Sequence, residues 1–127
     1  MGNSGDNKNQ VDFRGQDLSG TQWTDELFQQ AYLQQSILIG SSFVNVNFDS
    51  SLFHAAQCRD TRFSACNLNN ISARIADFES SEFVNCTFVG AHLINAYFFN
   101  ASFINCTFQD SLLEHCDLRR ASFTGCS

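Results

Sequence analysis

Large apolar residues recur at every fifth position from Phe13 to Phe123. These 23 positions hold thirteen Phe, seven Leu and Trp23, and only Cys58 and Ala73 break the run. Two residues ahead of most of these centres stands a small side chain, as at Ala31, Ser51, Cys66, Ala76, Ala96 and Cys106. A helix face repeats every 3.6 residues and a half-buried strand every 2, so neither produces a period of five. The pattern predicts one turn repeated along the chain, with a large and a small inward residue in each unit. A single unit cannot bury its own phenyl ring, whereas stacked units bury a continuous core.

Units such as Ala101-Ser102-Phe103-Ile104-Asn105 and Ala121-Ser122-Phe123-Thr124-Gly125 alternate small, polar, Phe or Leu, polar, turn residue. Over residues 11–127 the chain resembles the pentapeptide-repeat family. That resemblance implies an all-β fold, a right-handed quadrilateral β-helix with four pentapeptides to a coil. Residues 20 apart then stack about 4.8 Å from one another, giving about six coils and a rod about 28 Å long. At that period Phe43, Phe63, Phe83, Phe103 and Phe123 fall in one column, and Phe28, Phe48, Leu68, Phe88 and Phe108 in another. Gly40, Asn45, Asn70, Asn85, Gly90 and Asn95 stand where the turns belong, and such residues tolerate them. The absence of proline suits a ladder that needs every backbone N–H. At Ile71 and Ala73 the large and small inward residues exchange places, which conserves core volume.

The expected organisation is one domain over residues 11–127 behind a disordered polar tail, residues 1–10. Residues 11–30 are expected to form an irregular first coil or cap. Gln16 and Glu26 occupy small inward positions there, and the run from Thr24 to Tyr32 has helical spacing behind a possible Thr24 cap.

Six cysteines invite a disulfide or zinc framework. Their phase argues against it, because Cys66, Cys86, Cys106 and Cys126 are spaced by 20 and stack in a line, with Cys116 on a neighbouring face. A line of sulfurs about 4.8 Å apart cannot converge on one ion at about 2.3 Å. They are expected to be free thiols packed as small hydrophobes. His54 and His92 fall two coils apart, too far to share a ligand or a proton, and His115 falls at a turn. No nucleophile elbow and no phosphate-binding glycine loop is present. No catalytic residue, cofactor or metal is therefore expected. Matches to a glycosylation signal at Asn70, Asn85, Asn100 and Asn105 are products of the repeat.

Thirteen acids against seven bases give a net charge of -6, which disfavours direct nucleic-acid binding and permits a basic protein partner. No apolar run is long enough for a membrane span and the start is unlike a signal peptide, so a cytoplasmic protein is expected. Function must then lie on outward residues. One face presents Ile37 and Ile39, Gln57 and Arg59, Asp77 and Glu79, Tyr97 and Phe99, Asp117 and Arg119 in successive coils. Phe99 is the one Phe outside the core phase. Exposed aromatics among acids mark an interface, so Asp77, Glu79, Tyr97, Phe99 and Asp117 form the candidate interaction surface.

Phe108, Leu112, Leu113, Leu118 and Phe123 form a candidate dimer end, since an uncovered terminal coil invites pairing. The function expected is a rigid, non-enzymatic protein-interaction or structural solenoid. The alternative implied by the resemblance is an acidic DNA mimic that binds DNA gyrase and modulates it or protects it from quinolones or toxins. Duplex DNA carries one charge per about 1.7 Å, so a 28 Å rod would need about 16 charges to match it. The net charge of -6 falls well below that.

Overall fold

Every fifth residue from Gly15 to Gly125 has a positive φ between 52° and 73°, so the chain turns through a left-handed corner 23 times. Four such corners close one coil, and the sequence period of five becomes a spatial period of 20. The structure, a computed structural model, describes residues 10–127. The tail expected over residues 1–10 lies outside the described residues except for Gln10, whose side-chain amide donates to the Gln30 carbonyl.

Most corners carry Gly, Asn or Asp, the residues that reach this conformation at least cost. Ile75 does not, yet it holds a φ of 52° with more than half of its surface in solvent. Gly90 is required for a second reason. A Cβ there would come within 2.5 Å of Asn70 Oδ1, because the Asn70 side chain lies across the glycine of the next coil.

One face of the solenoid consists of six strands of three residues. They are β1 (Gln22–Thr24), β2 (Ser42–Val44), β3 (Arg62–Ser64), β4 (Glu82–Val84), β5 (Ser102–Ile104) and β6 (Ser122–Thr124). They pair in parallel in the order β1 to β6, each residue opposite the one 20 further on, as Phe83 is opposite Phe103. The other three faces are joined by single-residue bridges with the same offset, such as Leu27 to Asn47, Asp12 to Tyr32 and Asp17 to Ile37. The central residue of a unit donates its N–H to the coil ahead, as Phe48 does to Asn67 at 2.8 Å. The residue before it donates to the coil behind, as Asn47 does to Glu26 at 3.0 Å. At many corners the small inward residue closes a turn onto the centre three earlier, as Ser51 does onto Phe48 at 2.9 Å.

The core is the set of inward columns. Rings on the strand face lie nearly parallel, Phe63 to Phe83 and Phe83 to Phe103 both at 4.9 Å with interplanar angles of 4° and 5°. Neighbouring columns meet edge-on, as Phe83 does Phe88 at 5.3 Å and 67°. Each phenyl ring fully buried this way contributes about 1.5–3 kcal/mol by transfer from water, and a ring pair about 0.5–1.5 kcal/mol beyond that. Ile71 and Ala73 are both buried, so the exchanged pair fills its layer with both side chains inward. Inward hydroxyls are satisfied by backbone carbonyls, of the coil behind where Ser51 Oγ donates to Phe28 at 2.7 Å and Thr61 Oγ1 to Leu38 at 2.9 Å, and of the same coil where Ser36 Oγ donates to Leu33 at 2.7 Å.

Residues 11–30 depart from the expectation of an irregular coil or helical cap. They follow the same succession of bridge and turn as the later coils, and β1 begins two residues before Thr24. The second coil explains this: Asp25 donates to the Val44 carbonyl at 3.0 Å and Phe28 to the Asn47 carbonyl at 2.7 Å, bonds that a helix would forfeit. Gln16 and Glu26 are accommodated by facing solvent.

Candidate interaction face

The bridges that run from Asp17 through Ile37, Gln57, Asp77 and Tyr97 to Asp117 define one face of the solenoid. Each unit on it offers two outward residues astride a buried centre. Thus Asp77 and Glu79 flank buried Phe78, and Tyr97 and Phe99 flank buried Phe98. The coil spacing stacks these pairs, and between them lies a groove of about 410 Å³ lined by Asp77, Glu79, Tyr97, Phe99, Asp117 and Arg119. All five residues of the candidate interaction surface line this groove. Tyr97 is 48% exposed, whereas Phe99 is half-buried beneath Arg119, whose guanidinium carbon lies 5.4 Å from its ring centre.

The charges are arranged in forks. Arg119 Nε and Nη2 donate to the two Asp117 oxygens at 2.9 and 2.8 Å. These bonds, with a further one from the Arg119 amide, hold the Asp117 carboxyl at about 2 rather than in the usual carboxylate range. Arg59, one coil back, reaches Glu79 at 2.8 Å and Asp77 at 3.5 Å. Its guanidinium is held more firmly charged by the Glu79 hydrogen bond first and by the nearby negative charges second. The sequence placed Arg59 and Arg119 on this face without giving them a role. The signal for Arg119 was its spacing of two from Asp117, which puts both on the same side of an extended unit.

The fork recurs at the other end of the molecule on a different face. Arg14 donates through Nε and Nη2 to Asp12 at 2.9 and 2.6 Å and stands 4.8 Å over the Tyr32 ring. Arg14's hydrogen bonds likewise hold the Asp12 carboxyl at about 2.

On the residues of the candidate dimer end, Leu112, Leu118 and Phe123 are exposed, while Phe108 and Leu113 are half-buried against the core. Phe108 donates its N–H to the Ser127 carbonyl of the coil above at 2.8 Å.

The six cysteines are free. The sulfurs of Cys66, Cys86 and Cys106 each lie 3.4 Å from a carbonyl oxygen of the coil behind, those of Phe43, Phe63 and Phe83. Thiol hydrogen bonds to Cys106 and Cys66, and then burial, push the Cys86 thiol up, and burial does the same to Cys58. His54 Nε2 is 2.9 Å from Ser72 Oγ, and His115 holds a corner at φ 60°. Among the described residues no group of three or more His, Cys, Asp or Glu is placed to hold a metal ion, and no helix is long and apolar enough to cross a membrane.

Parallel stacked coils of 20 residues around inward columns of rings define a β-solenoid. The family model for pentapeptide repeats matches in eight copies, over residues 27–57, 56–94, 74–113 and 96–127, and the chain belongs to the pentapeptide-repeat family. This is a non-catalytic structural family. Among curated proteins none matches. Among solved structures the chain is similar to the pentapeptide repeat protein Rfr23 of the cyanobacterium Cyanothece 51142. The TM-score is 0.71 at 19% identity, over 91% of each chain. It is also similar to a pentapeptide repeat protein of the Arabidopsis thaliana thylakoid lumen, with a TM-score of 0.57 at 24% identity over 84% of this chain and 67% of that one. A third likeness is to QnrB1, a plasmid-mediated fluoroquinolone resistance protein, with a TM-score of 0.57 at 15% identity over 93% and 77%.

Proposed function

We propose that this protein is a rigid binding rod that engages a partner protein through the face of Asp77, Glu79, Tyr97, Phe99 and Asp117. The observation that carries this reading is the groove itself, where an exposed tyrosine and a half-buried phenylalanine sit among three carboxylates and Arg119. Tyrosine and arginine are over-represented where binding energy concentrates, and a rigid scaffold presents them without an ordering cost. The six free thiols suit a reducing, cytoplasmic setting. The test places a photo-crosslinking amino acid at exposed position 57, beside Asp77 in the same bridge column, and, as a control, at position 82 on the strand face. A partner captured from position 57 and lost on Phe99→Ala supports the face. Equal capture from both positions overturns it.

A second reading has its own support. The rod shape and the likeness to QnrB1 favour a type II topoisomerase such as DNA gyrase as the target, acting as an acidic DNA mimic. The net charge of -6 is the argument against it. A supercoiling titration with and without a fluoroquinolone decides. Inhibition or drug protection at low micromolar protein supports gyrase, and no effect beside an active control relative removes it.

A second copy docked on the last coil is also part of the proposal, with the exposed Leu112, Leu118 and Phe123 as its contact. Sedimentation of the wild type against Phe123→Glu checks it, and an unchanged monomer in both would refute it.

A further inference from the structure

Asp12 and Tyr32 face one another across a coil-to-coil bridge, and so do Asp77 and Tyr97. In the first pair, the residue two beyond the aspartate is Arg14, which forks Asp12 and lies over the tyrosine ring. In the second pair, the equivalent residue is Glu79. The second pair therefore has the same aspartate and the same ring without the guanidinium, and a second carboxylate in its place.

The local bonding leaves room for that guanidinium. Asp77 turns Oδ1 to the Glu79 amide at 3.0 Å, while Oδ2 is 3.5 Å from Arg59 Nε, beyond hydrogen-bond length. Arg59 directs its short contact to Glu79 instead, at 2.8 Å. The Tyr97 ring is half in solvent, and the cations that stand over rings among the described residues are Arg14 on Tyr32 and Arg119 on Phe99. Asp117, in the same bridge column on the far side of Tyr97, is already forked by Arg119, so the charge left for an incoming cation is that of Asp77 and Glu79, which share Arg59.

We infer that Tyr97 and Asp77 receive an arginine side chain from a basic segment of the partner protein, in the place that Arg14 takes on Tyr32. The guanidinium lies on the tyrosine face and forks Asp77, with Glu79 within reach of its remaining N–H groups. A planar fork suits this better than an ammonium, since it can stack and bond to a carboxylate at once. The net charge of -6 favours approach of a basic segment at low salt. This inference rests on the interaction-face reading and adds the chemistry of the partner.

The test uses a fluorescein-labelled octapeptide alternating Gly and Arg, with its Gly and Lys counterpart, followed by fluorescence anisotropy at low ionic strength. The arginine peptide should bind more tightly than the lysine one. Tyr97→Ala and Asp77→Asn should each weaken it about tenfold, and Tyr97→Phe should retain it, because the ring face is what the cation uses. Glu79→Arg is the sharpest variant. It completes the chain's own fork and should close the site, with loss of peptide binding and an unchanged thermal melt. Glu82→Gln, an acid on the strand face, should change affinity less than twofold. Equal binding by all variants, or no binding by the wild type, would overturn the inference. The partner cross-linked from position 57, which leaves Tyr97 in place, separates the two claims. If Phe99→Ala removes it while Asp77→Asn and Glu79→Arg do not, the interaction face stands and the guanidinium site falls. If none of the three matters, both fall.

Discussion

Tyr97, Phe98 and Phe99 are consecutive aromatics with opposite fates. Phe98 is fully buried, stacked on Phe78 at 5.1 Å with an interplanar angle of 5°, and edge-on to Phe83 at 6.2 Å. Its two neighbours stand on the outer surface beside charged groups, one open to solvent and one under an arginine. Residue type does not separate them, since Phe98 and Phe99 are the same amino acid. Phase within the five-residue unit does. The inner ring is worth its transfer from water and its stacking, which the outer rings largely forgo.

The strongest way to break this comparison is to truncate each ring in turn. Phe98→Ala removes a fully buried ring and leaves a cavity between Phe78 and Phe83, and should cost about 3–5 kcal/mol in denaturant unfolding. A cost below about 1 kcal/mol would mean that the stack collapses around the gap and that inward phase is not what stabilises it. A third environment sharpens the contrast. Ile75 is apolar but neither inward nor on a flat face, because it occupies a left-handed corner. Its branched side chain is strained there, and Ile75→Asn should stabilise the fold by about 0.5–1 kcal/mol, read as a higher melting temperature. Destabilisation would show that its half-exposed side chain packs usefully. Tyr97→Ala should move stability least, by under about 0.5 kcal/mol, as for an open surface position.

The smallest effect is a titration. The Asp117 carboxyl is depressed to about 2 by the Arg119 fork, below its unfolded value of about 3.9. A depressed folded value means that the fork favours the folded state above the unfolded value, and that this contribution is lost as pH falls from about 4 towards 2. Carboxyl carbon shifts followed by NMR should place the Asp117 midpoint near the lower figure, and Arg119→Gln should return it towards the ordinary range. A midpoint unchanged by that substitution would remove the fork as its cause.

Much of this was legible from the sequence for a specific reason. A period of five, with Phe or Leu at the centre, predicts a repeated turn, and with the four units to a coil that the family resemblance implies, the columns of Phe43 and Phe28 and the outward phase of Tyr97 and Phe99 follow together. The groove residues were legible by the same arithmetic. Arg59 and Arg119 escaped because a long side chain is not confined to the coil that carries it, and Arg59 reaches Asp77 and Glu79 one coil ahead. The stretch from Thr24 to Tyr32 was misjudged because local spacing was weighed without the ladder that the second coil supplies. Ile75 was equally hidden: a corner forced by the register holds whatever residue falls on it.

The corner at every fifth residue also turns chain length into an angle. Adding one unit between Glu79 and Tyr97 would advance everything downstream by a quarter turn while every centre stayed inward. The carboxylates and the aromatic pair would then look out in directions a right angle apart, and the groove would be gone from an intact rod. Adding four units would restore the bearing and only lift one half away from the other by about 4.8 Å. For a surface built like this, an insertion is a rotation, and a lineage can re-aim an outward face by copying a pentapeptide without altering a side chain in it.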